Sequence, residues 1–456
     1  MVDGYPTLVV LNSTHASIAF LHRLRAKPST IHSMTSALPS YAQAAAQVAA
    51  YAAQLLDSRP AHQERVELGR LSGRILAEPL AADRDQPPFT RSTRDGYACR
   101  AAEASKHKPL AVVGAVRAGQ APSGPLPPGS VWEIMTGAPL PAGADAVLML
   151  EHIESVPGKA SSGQRIRMLS SHSLKPGENV VAQGAQALAG EVLVTPGVAL
   201  HAGQIALAAA LGSSSLEVFK RPRVAILATG DELVAVDAAP APAQIRNSNA
   251  PMLAALVAAA GGEPWLLPTA ADNARSLDEA LAQVVSADLL LISGGVSAGK
   301  FDLVEPALAR ISARFHFTGA RIQPGKPTVF GELPRKSSVA LPFFGLPGNP
   351  LSSAVTFLLF AAPVLAALGG SRETYPRFAL ARLAPPAERR GKPGLTRFLP
   401  ALCDFGATAG QPPQVDFVPW HGSGDLSALA RSNCFLVVPE EAHNMDEGAL
   451  VQILLM

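Results

Sequence analysis

The order of apolar and polar positions divides the chain into stretches of different grammar. Over residues 40 to 56 an alanine-rich run carrying Tyr41, Val48, Tyr51, Leu55 and Leu56 has helix-forming composition, and residues 57 to 60 close it, which predicts a packing helix. Over residues 85 to 176 short β-branched runs, such as 110 to 113 and 146 to 150, alternate with proline- and glycine-rich turn signals, the pattern of a small β-domain. Between residues 179 and 200, Gly190 and Gly197 punctuate the pairs Val192-Leu193 and Val198-Ala199, a second β element expected to group with the early helical region. The middle third differs: apolar runs at 224 to 228, 287 to 292 and 339 to 346 are bounded by Gly or Pro, with helical stretches at 251 to 260 and 277 to 285 between them. Alternating strands and helices imply a doubly wound, mostly parallel sheet. After about residue 370 short strand-like pieces return, at 378 to 383, 414 to 418 and 434 to 438, read as a separate C-terminal β-domain.

The expected fold class is therefore multidomain α/β plus β. Its expected domains are residues 37–85 with 179–215, 86–178, 216–372 and 373–456, after a poorly ordered extension over 1–36 in which Met34 is an alternative start. The length of 456 residues accommodates about two to four domains. Charged residues make up 16% of the chain, below the usual ~25%, and 38 Gly and 40 Pro fill the space, consistent with compact domains joined by turns. The net charge of +2 supplies no global field to recruit nucleic acid or an anionic membrane, so any anion site must be local. Cys99, Cys403 and Cys434 lie far apart, which argues against a disulfide framework or thiolate zinc site and for a reducing, cytoplasmic setting. The most apolar stretch, 355 to 368, is shorter than the roughly 20 residues of a spanning helix and reads as a buried one.

In an open α/β sheet, ligands settle beyond the carboxyl ends of the strands, and there this chain concentrates glycine and acid. The three runs end in Thr229-Gly230-Asp231-Glu232, in Ser293-Gly294-Gly295-Val296-Ser297 and in Leu346-Pro347-Gly348-Asn349-Pro350. Gly294 and Gly295 let backbone N–H groups approach a phosphate, and Ser297 adds a hydroxyl; the same glycines also suit a plain strand-to-helix turn. Val296 breaks the dinucleotide fingerprint and no P-loop is present. Asn349 can cap the helix that Pro350 opens, whose N-terminus also favours an anion. Asp231, Glu232, Asp272 and Asp302 follow these strands or the run at 265 to 267. Converging carboxylates repel one another, and a shared hard cation such as Mg²⁺ relieves that repulsion while bridging phosphate oxygens; singly, each acid suits a cap or a solvated turn. Lys326, between Pro324 and Pro327, serves solvent or an anion equally well, and the segments around Asp95 and Thr136 read as hairpin turns. His107, His152 and His172 are dispersed, show no ligand spacing and receive no catalytic role.

Taken in order, residues 87 to 97, Met135-Thr136-Gly137-Ala138-Pro139, Thr229-Gly230-Asp231-Glu232-Leu233, Ser293-Gly294-Gly295-Val296-Ser297, Pro324-Gly325-Lys326-Pro327 and Leu346-Pro347-Gly348-Asn349-Pro350 resemble the motifs of the molybdopterin molybdenumtransferase (MoeA) family, similar also to the E domain of gephyrin. The resemblance covers residue 37 to the C-terminus. It implies a molybdopterin-binding type of sheet domain and a homodimer whose cleft is shared between subunits. It further implies insertion of molybdenum from molybdate into adenylylated molybdopterin with release of AMP, assisted by Mg²⁺, with the molybdopterin adenylyltransferase as a partner. By motif, Asp95 and Thr136 would come from the second subunit, and Glu232, Asp272 and Asp302 would serve the metal and pyrophosphate. Thr229, Asp231, Gly294, Gly295, Ser297, Pro347, Asn349 and Pro350 would shape the pterin and nucleotide pocket.

This chain departs from the family pattern at several positions. Gln323 and Gly319 stand where bases are usual, Pro400 where an Arg ends the segment 394 to 400, and Gln186 where an acid is usual. Arg321, Lys326, Arg397 and Ser423 are the remaining candidates to compensate a molybdate dianion. The missing bases also suit a molybdopterin-binding scaffold without turnover, and the sheet alone would suit an unrelated nucleotide-dependent enzyme.

Overall fold

The computed structural model describes residues 38–58, 62–157, 163–295, 304–335, 339–385, 389–390, 394–406, 410–441 and 444–456; the expected extension, Ser297 and Asp302 lie outside them. The chain divides into two compact units, one of residues up to Glu64 with Gly73–Ile75 and Phe219–Met456, the other of Arg65–Ser72 and Leu76–Val218.

The first unit opens with α1 (Tyr41–Ser58) and continues through β1 (Arg223–Ala228), α2 (Asn249–Ala259), β2 (Glu263–Leu266), α3 (Ala274–Gln283), β3 (Leu289–Ser293), α4 (Val304–Arg310), β4 (Arg314–Thr318), β5 (Val329–Leu333), β6 (Leu341–Leu346) and α5 (Pro350–Leu368). The six strands lie in the order β2-β1-β3-β6-β5-β4. Pairs β1–β2, β1–β3 and β3–β6 are parallel, whereas β5 runs antiparallel to both β6 and β4. The expected doubly wound sheet is present, with an antiparallel extension on one side.

The unbroken apolar runs have a direct cause: both faces of the sheet are covered. Val224, Ile226, Leu289, Leu291, Phe344 and Leu346 join one core with α1, α2 and α5, while Ala225, Leu227, Leu290, Ile292 and Phe343 join a second with α3 and α4. Helix α1 thus buries Ala44, Val48, Tyr51 and Leu55 against the sheet unit. Composition reveals an apolar helix face and not the surface that covers it. Helix α5 has the length and hydropathy of a membrane span, but 83% of its most apolar window is buried inside the protein. Its 19 residues outrun the predicted apolar stretch, and a π-helical turn, Phe357–Ala361, precedes Pro363, whose ring and missing N–H disturb regular α geometry.

Strands Phe378–Leu383, Thr396–Asp404, Gln414–Phe417, Cys434–Val438 and Leu450–Leu455 close on themselves, because Thr396–Asp404 pairs with both Gln414–Phe417 and Cys434–Val438. Leu399, Ala401, Cys403, Leu436 and Val438 fill this barrel, whereas the alternate residues Phe398, Phe435, Val437 and Leu454 join the core shared by α1, α2 and α5. The C-terminal β structure thus has a core of its own and also packs one face against the sheet unit.

In the second unit, strands Ala146–Met149, Gly96–Cys99, Ser130–Ile134, Leu110–Val116, Arg165–Met168 and Ile153–Val156 form one sheet in that order. A further core gathers Leu71, Leu76, Leu80, Ala187, Leu200, Ala208, Leu211 and Val218 around helix Ala202–Ala210. His152 and His172, distant in sequence, stack with centroids 3.8 Å apart.

Two predictions concern the first unit. Phe435→Ala, at a fully buried site on the shared face, should cost about 3–5 kcal/mol in a denaturant titration, whereas Leu402→Ala, 51% exposed on the barrel, should change stability by less than about 0.5 kcal/mol. His316 packs on Tyr51 and Phe330, and burial depresses its pKa although Glu332 opposes the shift. The unfolded chain then binds the extra proton more readily, so stability falls as pH drops through about 6.5. Urea midpoints at pH 7.5 and 5.5 should diverge in the natural protein and converge in His316→Gln.

Candidate active site

Three parallel strands finish in one row. Ala228 pairs with Ser293 and Ser293 with Leu346, so the loops that follow β1, β3 and β6 emerge side by side. The chain leaves β1 through α2 on one face and returns from β2 through α3 on the other, which places the topological switch point between β1 and β3. Main-chain bonds tie the loops together: Thr229 N–H donates to Ser293 O at 3.0 Å and Gly294 N–H to Leu346 O at 3.1 Å.

Gly294 and Gly295 take φ values of +97° and +61°, and both press against Thr229. A Cβ at Gly294 would lie 2.5 Å from Thr229 O, and one at Gly295 would lie 2.8 Å from Val304 Cγ2 and 3.0 Å from Thr229 Oγ1. Side chains are excluded here by both conformation and space. Gly348 approaches from the third loop, with its Cβ direction 3.6 Å from Gly294 Cα. Thr229 is only 7% exposed, and its hydroxyl has no hydrogen-bond partner among the described residues. Such an atom costs free energy unless a ligand or water meets it. Thr229 also lines a small recess with Asp272, Asn273, Leu277, Gly295 and Val304.

The acids gather at the same edge. Asp231 Oδ1 accepts from Asp272 N–H at 2.9 Å, and the Glu232 carboxylate folds back over Gly230, where a Cβ would lie 2.6 Å from Oε2. Burial raises the proton affinity of Asp272; a backbone hydrogen bond from Asp231 opposes this, and the charges of Asp231 and Glu232 reinforce it. Among the described residues no three metal-binding side chains form a ready cage, and the remaining predicted ligand, Asp302, lies outside them. The donor set nevertheless consists of hard oxygens, and Mg²⁺ is usually held by one or two carboxylates together with substrate phosphates. The acids present fit that use.

Asn349 occupies the N-cap position of α5 with Pro350 in the first turn, but its side chain does not cap: Nδ2 donates instead to Ser423 Oγ at 2.8 Å. Leu351 N–H donates to Ser423 O at 3.1 Å and Ser353 Oγ to Pro347 O at 2.5 Å, so Pro347, Asn349, Pro350 and Ser423 form one braced loop. Sequence reasoning missed Asn249. Its Nδ2 donates to Ser293 Oγ at 2.9 Å and to Gly348 O at 2.6 Å. The run Asn247-Ser248-Asn249 before an apolar helix reads as capping, and Asn247 does accept from Ala250 N–H at 3.1 Å, which hides the second role.

The basic candidates lie along a different edge. Ile322–Gln323 runs parallel to the barrel strand, with Gln323 opposite Arg397. Arg321 is already compensated by Glu440, 3.3 Å away. Gly319 takes φ +143°, a conformation that residues with a side chain rarely adopt, and a Cβ there would lie 2.8 Å from Leu38 Cδ2. Pro400 is buried in the barrel strand opposite Phe435. Lys326 is exposed and has no ion pair among the described residues, while Gly325 beside it packs against Thr356 of α5.

In the second unit Asp95 and Thr136 form one device. Asp95 Oδ1 accepts from Thr136 N–H at 2.6 Å and from its hydroxyl at 2.9 Å, and these bonds hold the carboxyl below its usual range. Near Gln186, Asp85 accepts from Gln183 Nε2 and Ala189 N–H, placing an acid in a loop where the sequence substitutes Gln.

Comparison with known proteins agrees with this architecture. Residues 39–212 match "MoeA N-terminal region (domain I and II)", residues 225–367 "Probable molybdopterin binding domain" and residues 385–456 "MoeA C-terminal region (domain IV)". The chain is 36% identical to a molybdopterin molybdenumtransferase of Nostoc sp., with 82% of this chain and 85% of the relative covered. It is 33% identical to that of Bacillus subtilis, with 84% and 87% covered. A crystal structure of a molybdopterin biosynthesis MoeA protein from Pyrococcus horikoshii superposes with a TM-score of 0.72 at 27% identity, covering 92% of this chain and 100% of the other. The ordered motifs, the glycine-bounded switch point and three consecutive domain matches coincide, and the chain belongs to the MoeA family of molybdopterin molybdenumtransferases.

Proposed function

We propose that this protein is the transferase that inserts molybdenum from molybdate into adenylylated molybdopterin and releases AMP, in the cytoplasm, as a step of molybdenum cofactor biosynthesis. The observation that carries this reading is the Gly294–Gly295 turn over the unpartnered Thr229 hydroxyl at the switch point, with Asp231, Glu232 and Asp272 beside it. Gly294 N–H is committed to Leu346 O, so among the described residues of the turn the Gly295 N–H is the backbone donor that suits a phosphate oxygen, and Thr229 Oγ1 supplies one further hydrogen bond. Mg²⁺, held by Glu232, Asp272 and Asp302 together with the pyrophosphate, would neutralise charge as the phosphoanhydride breaks. The chain's own residues bind and orient: the braced loop of Pro347, Asn349, Pro350 and Ser423 limits the pocket, and the Ser297 hydroxyl is the further donor that the motif implies. The Asp95–Thr136 pair suits completion of the cleft from the second subunit of a homodimer, and the molybdopterin adenylyltransferase is the expected substrate donor.

A second reading, a binding paralogue with little turnover, is favoured by one observation: Glu440 compensates Arg321, leaving Lys326 and Arg397 as the other bases named for the oxyanion. Purified protein incubated with adenylylated molybdopterin, Mg²⁺ and molybdate separates the two. Molybdate-dependent AMP release supports the transferase; tight binding without AMP supports the paralogue.

Thr229→Val removes a buried, unsatisfied hydroxyl at constant shape. It should leave stability unchanged or raise it by up to about 1 kcal/mol, yet lower AMP release about tenfold. Loss of activity together with a lower melting temperature would assign Thr229 to the fold instead. Glu440→Gln should free Arg321 and lower the molybdate concentration for half-maximal AMP release, whereas Arg321→Glu should raise it; a titration insensitive to both removes Arg321 from the oxyanion site.

A further inference from the structure

We infer that Asn249 is a specificity-determining residue of the cleft, with its Oδ1 preset to accept a hydrogen bond from an N–H on the edge of the bound heterocycle; the identity of that heterocycle rests on the function proposed above. The orientation of the amide follows from its partners. Gly348 O lies 2.6 Å away and can only accept, so the nitrogen must face it, and the same nitrogen reaches Ser293 Oγ at 2.9 Å. Both N–H bonds are then committed to holding the loop after β6 against the end of β3. Oδ1 is left buried and without a partner among the described residues.

Position makes the orphan informative. Leu289 and Leu291 belong to the core on the α2 face, and period-2 alternation puts Ser293 on that face also. Ala225 and Leu227 belong to the other core, so Thr229 faces the α3 side. The glycine turn therefore separates two unsatisfied polar atoms: the Thr229 hydroxyl on the acid-lined side, suited to phosphate, and Asn249 Oδ1 on the neutral side, which can only accept. An acceptor fixed by two bonds selects an N–H donor and rejects a carbonyl edge. Pterin and adenine both offer such a donor, so either half of adenylylated molybdopterin qualifies.

Calorimetric titrations with molybdopterin and, separately, with AMP decide between those halves. Asn249→Ala should weaken one of the two ligands at least tenfold and leave the other within twofold, while its thermal midpoint falls because the bonds to Ser293 and Gly348 are lost as well. Ser293→Ala, which removes one anchor but keeps the Gly348 bond and Oδ1, should bind both ligands within threefold of the natural protein. If Asn249→Ala does not fold, Asn249→Ser, which retains a polar residue at the helix start but is too short to reach, carries the same expectation. A folded Asn249 variant that binds both ligands as the natural protein does overturns this inference and leaves the proposed function standing. A natural protein that binds neither ligand and releases no AMP overturns both.

Discussion

The close approach of the Gly294–Gly295 turn to Thr229 is the constraint from which the site follows. It is possible only because β1, β3 and β6 end in one row, so that the main chain joins the three loops before any side chain takes part. These bonds use the N–H groups of Thr229 and Gly294 and fix the direction of the turn that follows, at Gly295. The acids are placed by the same ladder. Asp231 and Asp272 bind each other's loops, and burial, reinforced by the charges of Asp231 and Glu232, raises the proton affinity of Asp272.

Rigidity of this edge depends on what lies behind it. Each strand beneath the cleft is covered on both faces, and α5, which starts at the Pro347–Pro350 loop, runs through the core that also receives the outward residues of the barrel. A displacement of the barrel would be felt at Ser423, whose hydroxyl and carbonyl brace the start of α5. The barrel is thus part of the support of the pocket. Its fully buried strand Cys434–Val438 shows the arrangement in miniature, with Leu436 inside the barrel and Phe435 and Val437 in the common core.

Charge is distributed with less redundancy. The net charge of +2 conceals an acid-rich strand edge and a separate edge carrying Arg321, Lys326 and Arg397. Gly319 holds a positive φ that disfavours a side chain, and Pro400 is buried in a barrel strand. Of the bases named for the oxyanion, Arg321 already meets Glu440.

Much of the site was legible in the residues alone. Apolar runs bounded by glycine announced strands with two covered faces, and the residues just after them, Thr229, Gly294, Gly295 and Asn349, lie together in the fold because parallel strands must end at the same edge. Motif order gave the family. Tertiary structure decided the rest. Helix α1 joined the sheet unit, the C-terminal strands closed into a barrel on the same core, and Glu440 met Arg321 across more than a hundred residues. Asn249 looked like one more polar residue before a helix until Ser293 and Gly348 were seen on either side of it. The reason is the same in each case. Periodicity and composition record how many faces of an element are buried and where the chain turns, because those are local properties, whereas the partner that covers a face or receives a hydrogen bond is set by long-range packing.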